Sequence, residues 1–440
     1  MLVINPNAAG IDIGSGEHWV AVSPDRDKKP VRRFGSYTAE LIALAAWLKK
    51  CGVTTVAMES TGVYWTSLFR ILESRGFEVK LVNAAHVKNV PGRKTDVKDC
   101  QWLQQLHSCG LLRGSFQPDE KIRVLRSYWR HRDNLVRYAS SHIQHMQKAL
   151  EQMNLKLVKV VSDITGVTGM SIIRAILEGE RDPVKLAAMK DPRIKSSAEE
   201  IAMALEGDYR REHLFALKQA VELYDIYHQQ IRSCDCEIEN YVQEFEPKVN
   251  PESNPLPPPK KRKNRVRGNR PEFDLQSHLY RISGVDFTQI DGLSVMTVQT
   301  IISEVGLDPD AFPTEKHFAS WLGLCPANKI TGGKVKSSRT RKVVNRAADA
   351  FRMAAQAVIR SNSALGAFFR RMRAKLGGPK AITATAHKIA RLFYRLWKTG
   401  VAYKDPGADY YDQKHKDRVV KNMVNRVKQL GYDVVLTQTA

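Results

Sequence analysis

The chain has 440 residues, of which 43% are hydrophobic and 26% charged, so it is not disordered overall and has room for two or three domains. Its 69 lysines and arginines outweigh 46 aspartates and glutamates, and the net charge of +23 favours a polyanionic partner, with nucleic acid the first candidate. The sequence shows no signal peptide and no apolar run near the ~18 residues of a membrane span, so we expect no membrane partner and a cytoplasmic location.

The first hundred residues alternate strand and helix patterns. "AAGIDIGS" and "HWVAVSP" predict a β-hairpin that turns near Gly14 to Glu17. "AELIALAAWLKKCG" predicts an amphipathic helix that ends at Gly52, and "VTTVAMES" a strand after it. The helix "VYWTSLFRILESRG" and the strand "FEVKLVN" repeat this order. The pattern is typical of an α/β domain with a mixed sheet.

Two acidic residues occupy unusual places in this α/β segment. Asp12 lies within the apolar strand "GIDIG", where a charge is costly unless it is paired or bound to a metal, and Glu59 ends the strand "TTVAMES". If the first and fourth strands are neighbours in the sheet, Asp12 and Glu59 lie side by side.

A second pair of acids follows in "GRKTDVKDC". Asp96 and Asp99 are three residues apart, which also fits a local role as helix cap and first-turn residue. A helix laid across the two strands would bring all four carboxylates together, where they would repel one another without a cation. Two Mg²⁺ ions about 3.5–4 Å apart would relieve this repulsion and hold a phosphoryl group in transfer. His86 and His107 flank the region, and we assign them packing or solvated roles.

The cysteines do not suggest a second kind of metal site. The six show no CxxC pair and no Cys/His spacing suited to zinc, so we interpret them as reduced thiols that mostly pack.

Heptad spacing dominates the middle of the chain. From Ile122 to Leu157 an unbroken seam of 3- and 4-residue steps is apolar except at Arg132. A weaker seam from 214 to 242 is interrupted by His228 and Asp235, and the residues between the seams look helical and irregular. The seams predict a coiled coil, formed either within one chain or with a second chain.

The segment "EPKVNPESNPLPPPKKRKNRVRGNRPEF" predicts a semi-rigid, exposed linker. Seven of its residues from 260 to 270 are basic with no balancing acid, which favours contact with phosphates over a merely solvated hinge. The predicted contacts are Lys260, Lys261, Arg262, Lys263, Arg265 and Arg267.

The last part of the chain is again helical and contains the loop "GLCPANKITGGKVKSSRTRK", which is rich in glycine, hydroxyl and basic residues. Two helices with basic faces follow it, and we expect less order after Val401. The cations in and after the loop fit a clamp on DNA phosphate, although an ordinary solvated basic face is the alternative. They are Lys334, Lys336, Arg339, Arg341, Lys342 and Arg346.

Four motifs in this order resemble the DEDD transposases of insertion sequences, recombinases that are guided by a bridge RNA. They are "GIDIGS", "AMESTG", "GRKTDVKD" and "FASWLGLCPANKITGGKVKSSRTRKVVNRAA". The resemblance implies an RNase H-like (RuvC-like) α/β domain with Asp12, Glu59, Asp96 and Asp99 as its Mg²⁺-binding acids. It also implies that the protein is bacterial and associated with the nucleoid.

The resemblance divides the chain into five parts. They are an RNase H-like domain at 1–115, a helical coiled-coil dimerisation region at 116–246, a proline-rich basic linker at 247–272, a mainly α transposase domain at 273–402 and a tail at 403–440.

In this family a serine of the second domain attacks DNA and forms a covalent phosphoserine link, while the acids of another subunit bind magnesium nearby. A structured RNA pairs with target and donor DNA, and two dimers assemble into a tetramer. Here the serine's position before a glycine holds Thr331, whose β-methyl group crowds an attack on phosphorus. Thr331 is our predicted nucleophile, Ser337 and Ser338 are alternatives, and impaired strand cleavage is a third possibility.

Three functions fit these residues. The first is an RNA-guided DNA recombinase that moves its own element. The second is a metal-dependent RuvC-like junction nuclease that uses water and needs only the four acids. The third is a non-enzymatic basic coiled-coil protein that binds nucleic acid.

Overall fold

The computed structural model describes residues 2–83, 96–256, 269–341 and 343–436, except for the side chain of Asp96. Within these ranges the chain forms two units, Met1–Gln117 and Pro118–Ala440. None of the helices in the described ranges is long and apolar enough to cross a membrane. Several predicted residues lie outside the described ranges: His86, Lys260, Lys261, Arg262, Lys263, Arg265, Arg267 and Lys342.

A five-stranded mixed sheet forms the centre of the first unit. Its strands are β1 (Ala8–Ile13), β2 (Glu17–Ala21), β3 (Val31–Gly35), β4 (Thr55–Glu59) and β5 (Glu78–Val82). Their order is β3-β2-β1-β4-β5, and β4 runs parallel to both β1 and β5. This mixed sheet confirms the predicted α/β class and is consistent with an RNase H-like fold. We did not predict β3, because "VRRFG" at the sheet edge has no apolar alternation.

Three described helices pack against this sheet: α1 (Thr38–Lys50), α2 (Trp65–Ser74) and α3 (Asp96–Ser108). One face of the sheet carries the apolar core, in which Ile11 and Met58 are fully buried with leucines of α1 and α2. Neighbouring residues on a strand point to opposite faces. Residues 10, 12, 57 and 59 therefore face the other side of the sheet, which α3 covers.

Two 33-residue helices, α4 (Glu120–Gln152) and α9 (Arg211–Gln243), pack along each other in the second unit. Both predicted seams are thus buried within one chain. A small helical core closes one end of the pair. It includes α5 (Leu157–Val160), α6 (Val167–Glu178), α7 (Pro183–Ala187) and α8 (Ala198–Ala204). The supercoil and its dimerisation role remain predictions.

The polar residues that interrupt the two seams are partners of each other. Arg132 and Asp235 are only 2% and 5% exposed, and their side chains form a two-point ion pair. Nη2 of Arg132 lies 3.1 Å from Oδ2 of Asp235 and also donates to the carbonyl oxygen of Asn269 at 2.9 Å. Each buried charge is therefore neutralised inside the fold.

The rest of the second unit is mainly helical. Its helices are α10 (Leu275–Ser283), α11 (Val295–Val305), α12 (Glu315–Trp321), α13 (Arg346–Ala357), α14 (Ala364–Leu376), α15 (Gly378–Thr399) and α16 (Ala408–Gln429). Phe287, Phe318, Phe351 and Phe393 form the centre of its core. The strands β6 (Lys329–Thr331) and β7 (Lys334–Ser337) form a separate hairpin.

Helix α16 corrects the expectation of little order after Val401. It spans 22 residues and packs on α14, yet none of its residues is fully buried. This helix has no apolar stripe, so its residues show no periodic pattern from which a helix could be predicted.

Candidate active site

Helix α3 lies very close to β1 because Gly10 has no side chain. A Cβ atom at Gly10 would lie 2.3 Å from the backbone nitrogen of Gln104 and 2.4 Å from the carbonyl oxygen of Cys100. Further along α3, Nε2 of His107 is 2.9 Å from Oγ1 of Thr55, at the start of β4. The helix therefore runs antiparallel to β1 and β4, and its first turn lies toward their carboxyl ends.

Asp12 and Glu59 lie at this carboxyl edge, on the face that α3 covers. Ile11 of β1 is paired with Met58 of β4, so Asp12 and Glu59 are the next residues on the two strands. Both are partly buried. The strands β1 and β4 are neighbours in the sheet, which is the condition under which we expected the two acids to lie side by side.

The thiol of Cys100 shows that α3 brings Asp99 to the same place. Burial, followed by the charge of Asp12 and more weakly that of Asp99, raises the pKa of Cys100 to about 12. Both carboxylates therefore act on one buried thiol, which is protonated at neutral pH. Asp96 begins α3, one turn earlier on the same helix, and its side chain lies outside the described part of the structure.

His107 has the packing role that we predicted. The ring is 1% exposed, and burial lowers its pKa to about 4, with the charge of Lys80 as the next cause. It is therefore neutral at physiological pH and contacts Thr55 at the end of the sheet opposite to the acids. His86 lies outside the described ranges.

The carboxyl edge of β1 and β4 with Asp12, Glu59 and Asp99, here called the acid edge, carries ligands of a type that a hard divalent cation prefers, but the described side chains do not form a metal site. Among the described side chains, no group of three or more His, Cys, Asp or Glu residues is arranged to hold a metal ion. Asp12, Glu59 and Asp99 nevertheless offer carboxylate oxygens at one edge, which is the ligand type that Mg²⁺ prefers. The side chain of the fourth predicted ligand, Asp96, lies outside the described part of the structure.

Sequence reasoning did not single out two neighbours of this edge. Trp19 lies directly opposite Asp12 in the β1–β2 ladder and therefore shares its face of the sheet. Cys100 lies on α3 directly after its first turn, and its side chain is buried. Counting residues outward from the predicted β1–β2 turn would have identified Trp19, whereas Cys100 required the orientation of the helix.

The predicted nucleophile, Thr331, lies in the second unit, at the end of β6 beside the turn of the β6–β7 hairpin. Thr331 pairs with Lys334, and the turn between them is Gly332-Gly333, with φ values of 55° and 71°. Positive φ at both positions is typical of a type I′ hairpin turn. Thr331 is exposed, so its hydroxyl is accessible. The alternative Ser337 accepts a hydrogen bond from the backbone nitrogen of Arg339 at 3.3 Å, and Ser338 is exposed.

The basic residues around the hairpin divide into exposed and bonded side chains. Lys334, Lys336 and Arg339 are exposed. Arg341 donates to Oγ of Ser320 at 3.2 Å, and Arg346 forms an ion pair with Asp133 at 3.2 Å. Arg341 and Arg346 thus also fasten the segment to α12 and α4, and their contact with DNA remains a prediction.

Comparison with protein families places both regions in one family. The model for IS110-type DEDD transposases, described as "Transposase", matches residues 9–155 and so includes all four acids. The model described as "Transposase IS116/IS110/IS902 family" matches residues 286–370, which include the β6–β7 hairpin. No curated protein matches the chain. The two matches cover just over half of the sequence in the order that the motifs predict, and the chain therefore belongs to the IS110-type DEDD transposases, enzymes of DNA transposition and recombination.

Proposed function

We propose that the protein is an RNA-guided DNA recombinase that excises and inserts its mobile element through a covalent link between Thr331 and DNA. The observation that carries this proposal is the position of Asp12 and Glu59, adjacent at the carboxyl edge of β1 and β4 beneath the first turn of α3. A packaging protein has no use for acids gathered within a chain of net charge +23.

In this proposal Asp12, Glu59, Asp96 and Asp99 hold Mg²⁺. When bound, the cation neutralises the charge that develops on the phosphodiester and its leaving oxygen. The chain itself supplies a fixed geometry, because the register of two strands sets Asp12 and Glu59, and the close contact at Gly10 sets the helix that carries Asp99. Such preorganisation spares the acids from reorganising at the moment of reaction.

Thr331 is the proposed nucleophile. Its Oγ1 forms a bond to phosphorus while the bond from phosphorus to the departing strand's oxygen breaks, and that oxygen takes up a proton as the threonine hydroxyl loses one. The hydroxyl is exposed beside a short turn, and Lys334 and Lys336 on β7 supply positive charge to hold the DNA backbone. The β-methyl group makes the attack slower than that of a serine.

The proposed partners are a structured guide RNA, target DNA and donor DNA, with two dimers assembling into a tetramer. The excess of basic residues supports binding of several phosphates at once. Because the seam residues of α4 and α9 are buried within one chain, a dimer would use their outer surfaces, where Leu223 and Ile226 of α9 are 41% and 50% exposed. The basic linker residues 260–267 are proposed RNA or DNA contacts.

The first experiment sequences the RNA that co-purifies with the protein expressed together with the flanks of its gene. A single structured RNA encoded in those flanks is the expected result. A heterogeneous mixture of cellular RNA would contradict guidance and favour a packaging role.

The second experiment tests the covalent step with labelled donor and target DNA and the bound RNA. The wild-type protein and a Thr331→Ser variant should both give a protein–DNA adduct that survives denaturation, and Thr331→Ala should give none. Ser337→Ala and Ser338→Ala serve as matched controls. Cleavage that persists in Thr331→Ala without any adduct would instead identify a junction nuclease that uses water.

A further inference from the structure

Helices α14, α15 and α16 line an open cavity of about 420 Å³ in the second unit, and this cavity plays no part in the proposed function. Six of its lining side chains are basic. They are Arg371, His387, Lys388, Arg391, Arg395 and Arg418. Glu315 of α12 is the one acidic lining residue among the part of the chain that the structure describes.

Helical spacing explains how the sequence builds this cavity. Phe368 and Arg371 are three residues apart on α14, and Tyr411 and Arg418 are seven apart on α16, so each pair lies on one face of its helix. Lys388 lies between them on α15. Three helices thus direct cations and aromatic rings at one space.

The aromatic rings of the cavity are already covered by cations. Nζ of Lys388 lies 4.4 Å from the centre of the Phe368 ring and 4.7 Å from that of Tyr411. The guanidinium carbon of Arg371 lies 4.9 Å from the centre of the same Tyr411 ring. These cation–π contacts stabilise the cations and hold them beside the two rings.

The only acidic residue among the described residues that line the cavity, Glu315, is paired with Arg391. Glu315 accepts a hydrogen bond from Nε of Arg391 at 3.0 Å and pairs with its Nη2 as well. Among the described residues no ion pair joins Arg371, Lys388 or Arg418 to an acid. Burial lowers the pKa of Lys388, and the charges of Arg371, Lys414 and Arg418 lower it further.

Two polar groups in the cavity, the Arg371 guanidinium and the Tyr411 hydroxyl, are shielded from solvent and interact only weakly with each other. Nη1 of Arg371 and the hydroxyl of Tyr411 are both inaccessible, and neither makes a hydrogen bond of acceptable geometry within the described ranges. Such groups are costly to bury unless something else satisfies them. A group that accepts hydrogen bonds would satisfy them better, and the cations around them favour one that carries negative charge.

We propose that this cavity binds a phosphate group, with Arg371 and Lys388 as its inner donors, Tyr411 as a neutral donor and Arg418 at its mouth. A phosphate presents several acceptor oxygens to donors that converge from different helices, which suits the three-helix geometry. The phosphate can belong to a nucleic-acid strand, which rests on the proposed function, or be free in solution, which does not.

The first test measures the thermal unfolding of the full-length protein in inorganic phosphate against chloride at equal ionic strength. Phosphate at saturating concentration should raise the Tm of the wild type by about 2–4 °C. Arg371→Gln and Lys388→Met should lose this rise, whereas Lys416→Gln, an exposed change on the neighbouring helix α16, should keep it. An equal rise in all four proteins would reflect exclusion of phosphate from the surface and would overturn the proposal.

The second test identifies the source of the phosphate. Binding of a fluorescent DNA or RNA hairpin is titrated at two salt concentrations. Loss of one phosphate contact should weaken the affinity of Arg371→Gln and Lys388→Met by about tenfold and reduce the salt slope by about 1. Lys416→Gln should match the wild type.

The outcomes of the two tests are separable. Loss of both the phosphate-dependent rise in Tm and the hairpin affinity assigns the cavity to a strand phosphate, and loss of the first alone assigns it to free phosphate. Neither readout requires strand cleavage or an adduct at Thr331, so a failure of the proposed recombination leaves this inference intact, and the reverse also holds. No loss of either in the variants overturns it.

Discussion

The α4–α9 helix pair and the α14–α16 cavity both take charged side chains out of water, but they do so in opposite ways. In the helix pair, Arg132 meets Asp235 and the charges cancel within the fold. In the cavity, Arg371 and Lys388 both lie near the ring of Tyr411, and their like charges repel each other. Two buried opposite charges neutralise each other, whereas a group of like charges is stabilised when it binds a counterion.

The acid edge of the first unit belongs with the cavity in this comparison. Asp12 and Asp99 both act on the thiol of Cys100, and Glu59 follows next to Asp12 in the adjacent strand. The protein thus gathers negative charge in one unit and positive charge in the other. The proposed counterions are correspondingly a divalent cation and a phosphate.

The largest expected effect comes from neutralising the acid edge. Asp12→Asn together with Glu59→Gln should lower strand cleavage by about 10²–10³-fold or more, because the developing negative charge loses its stabiliser. DNA affinity should stay within about twofold of the wild type at equal salt, since the basic surface is intact. Cleavage is measured on labelled DNA in Mg²⁺, and Glu73→Gln on α2 is the control. Unchanged cleavage would remove the acid edge from the catalytic machinery.

The helix pair should show the opposite behaviour. Arg132→Met alone should lower the free energy of unfolding by about 3–5 kcal/mol, because Asp235 is left as an uncompensated buried charge. Adding Asp235→Leu should recover most of this loss. Urea unfolding of the two single variants and the double variant measures the coupling. If the losses simply add, the two charges do not neutralise each other as described.

A smaller loss is expected where α3 meets the sheet. Gly10→Ala introduces a Cβ atom that would lie 2.3 Å from backbone of α3, so the helix must shift. We expect a loss of about 1–3 kcal/mol in the free energy of unfolding and a larger relative loss of cleavage, since the same helix carries Asp99. Gly16→Ala is the control, because nothing lies within 4 Å of that position. Equal effects of the two changes would contradict the close contact.

The smallest effect concerns the cavity without ligand. Lys388→Met removes a desolvated charge while the thioether keeps contact with both rings, so the free energy of unfolding at neutral pH should rise by about 0.5 kcal/mol. The pKa of Lys388 is lowered on folding from 10.5. The unfolded chain therefore binds the proton more tightly, and wild-type stability gains relative to the variant as the pH rises toward 10.5. Urea unfolding at pH 7 and pH 9.5, without phosphate, checks the sign.

The sheet and its acids could be predicted because side chains alternate between the two faces of a strand, a pattern that a few residues are enough to show. The apolar run that contains Asp12 and the one that ends in Glu59 identified β1 and β4, and alternation gave the face of each carboxylate once the adjacency of the strands was known. The edge strand β3 has no such alternation and was not predicted. The first turn of α3 was predicted from the spacing of Asp96 and Asp99, but its direction across the sheet depends on Gly10, a tertiary contact that no local pattern reports.

The cavity could not be predicted from the sequence, because no local pattern shows that its residues come together in the fold. Its cations come from three helices, and the third, α16, has no buried residue and hence no apolar period. The basic faces of the two helices after the hairpin were recognised, but which cations share a space depends on helix packing. By contrast, the heptad spacing identified Arg132 and Asp235 as polar residues within the two apolar seams. Only the structure shows that they pair with each other.

The turn Gly332-Gly333 sets a rule for how the hairpin tip can vary. A side chain at either position would meet no other atom within 4 Å, so the restriction there is one of backbone handedness and not of room. Asparagine, which tolerates that handedness, is the substitute the fold would accept at least cost. Because both turn residues are glycines, no side chain at the hairpin tip would block a DNA strand that approaches Thr331 from that side.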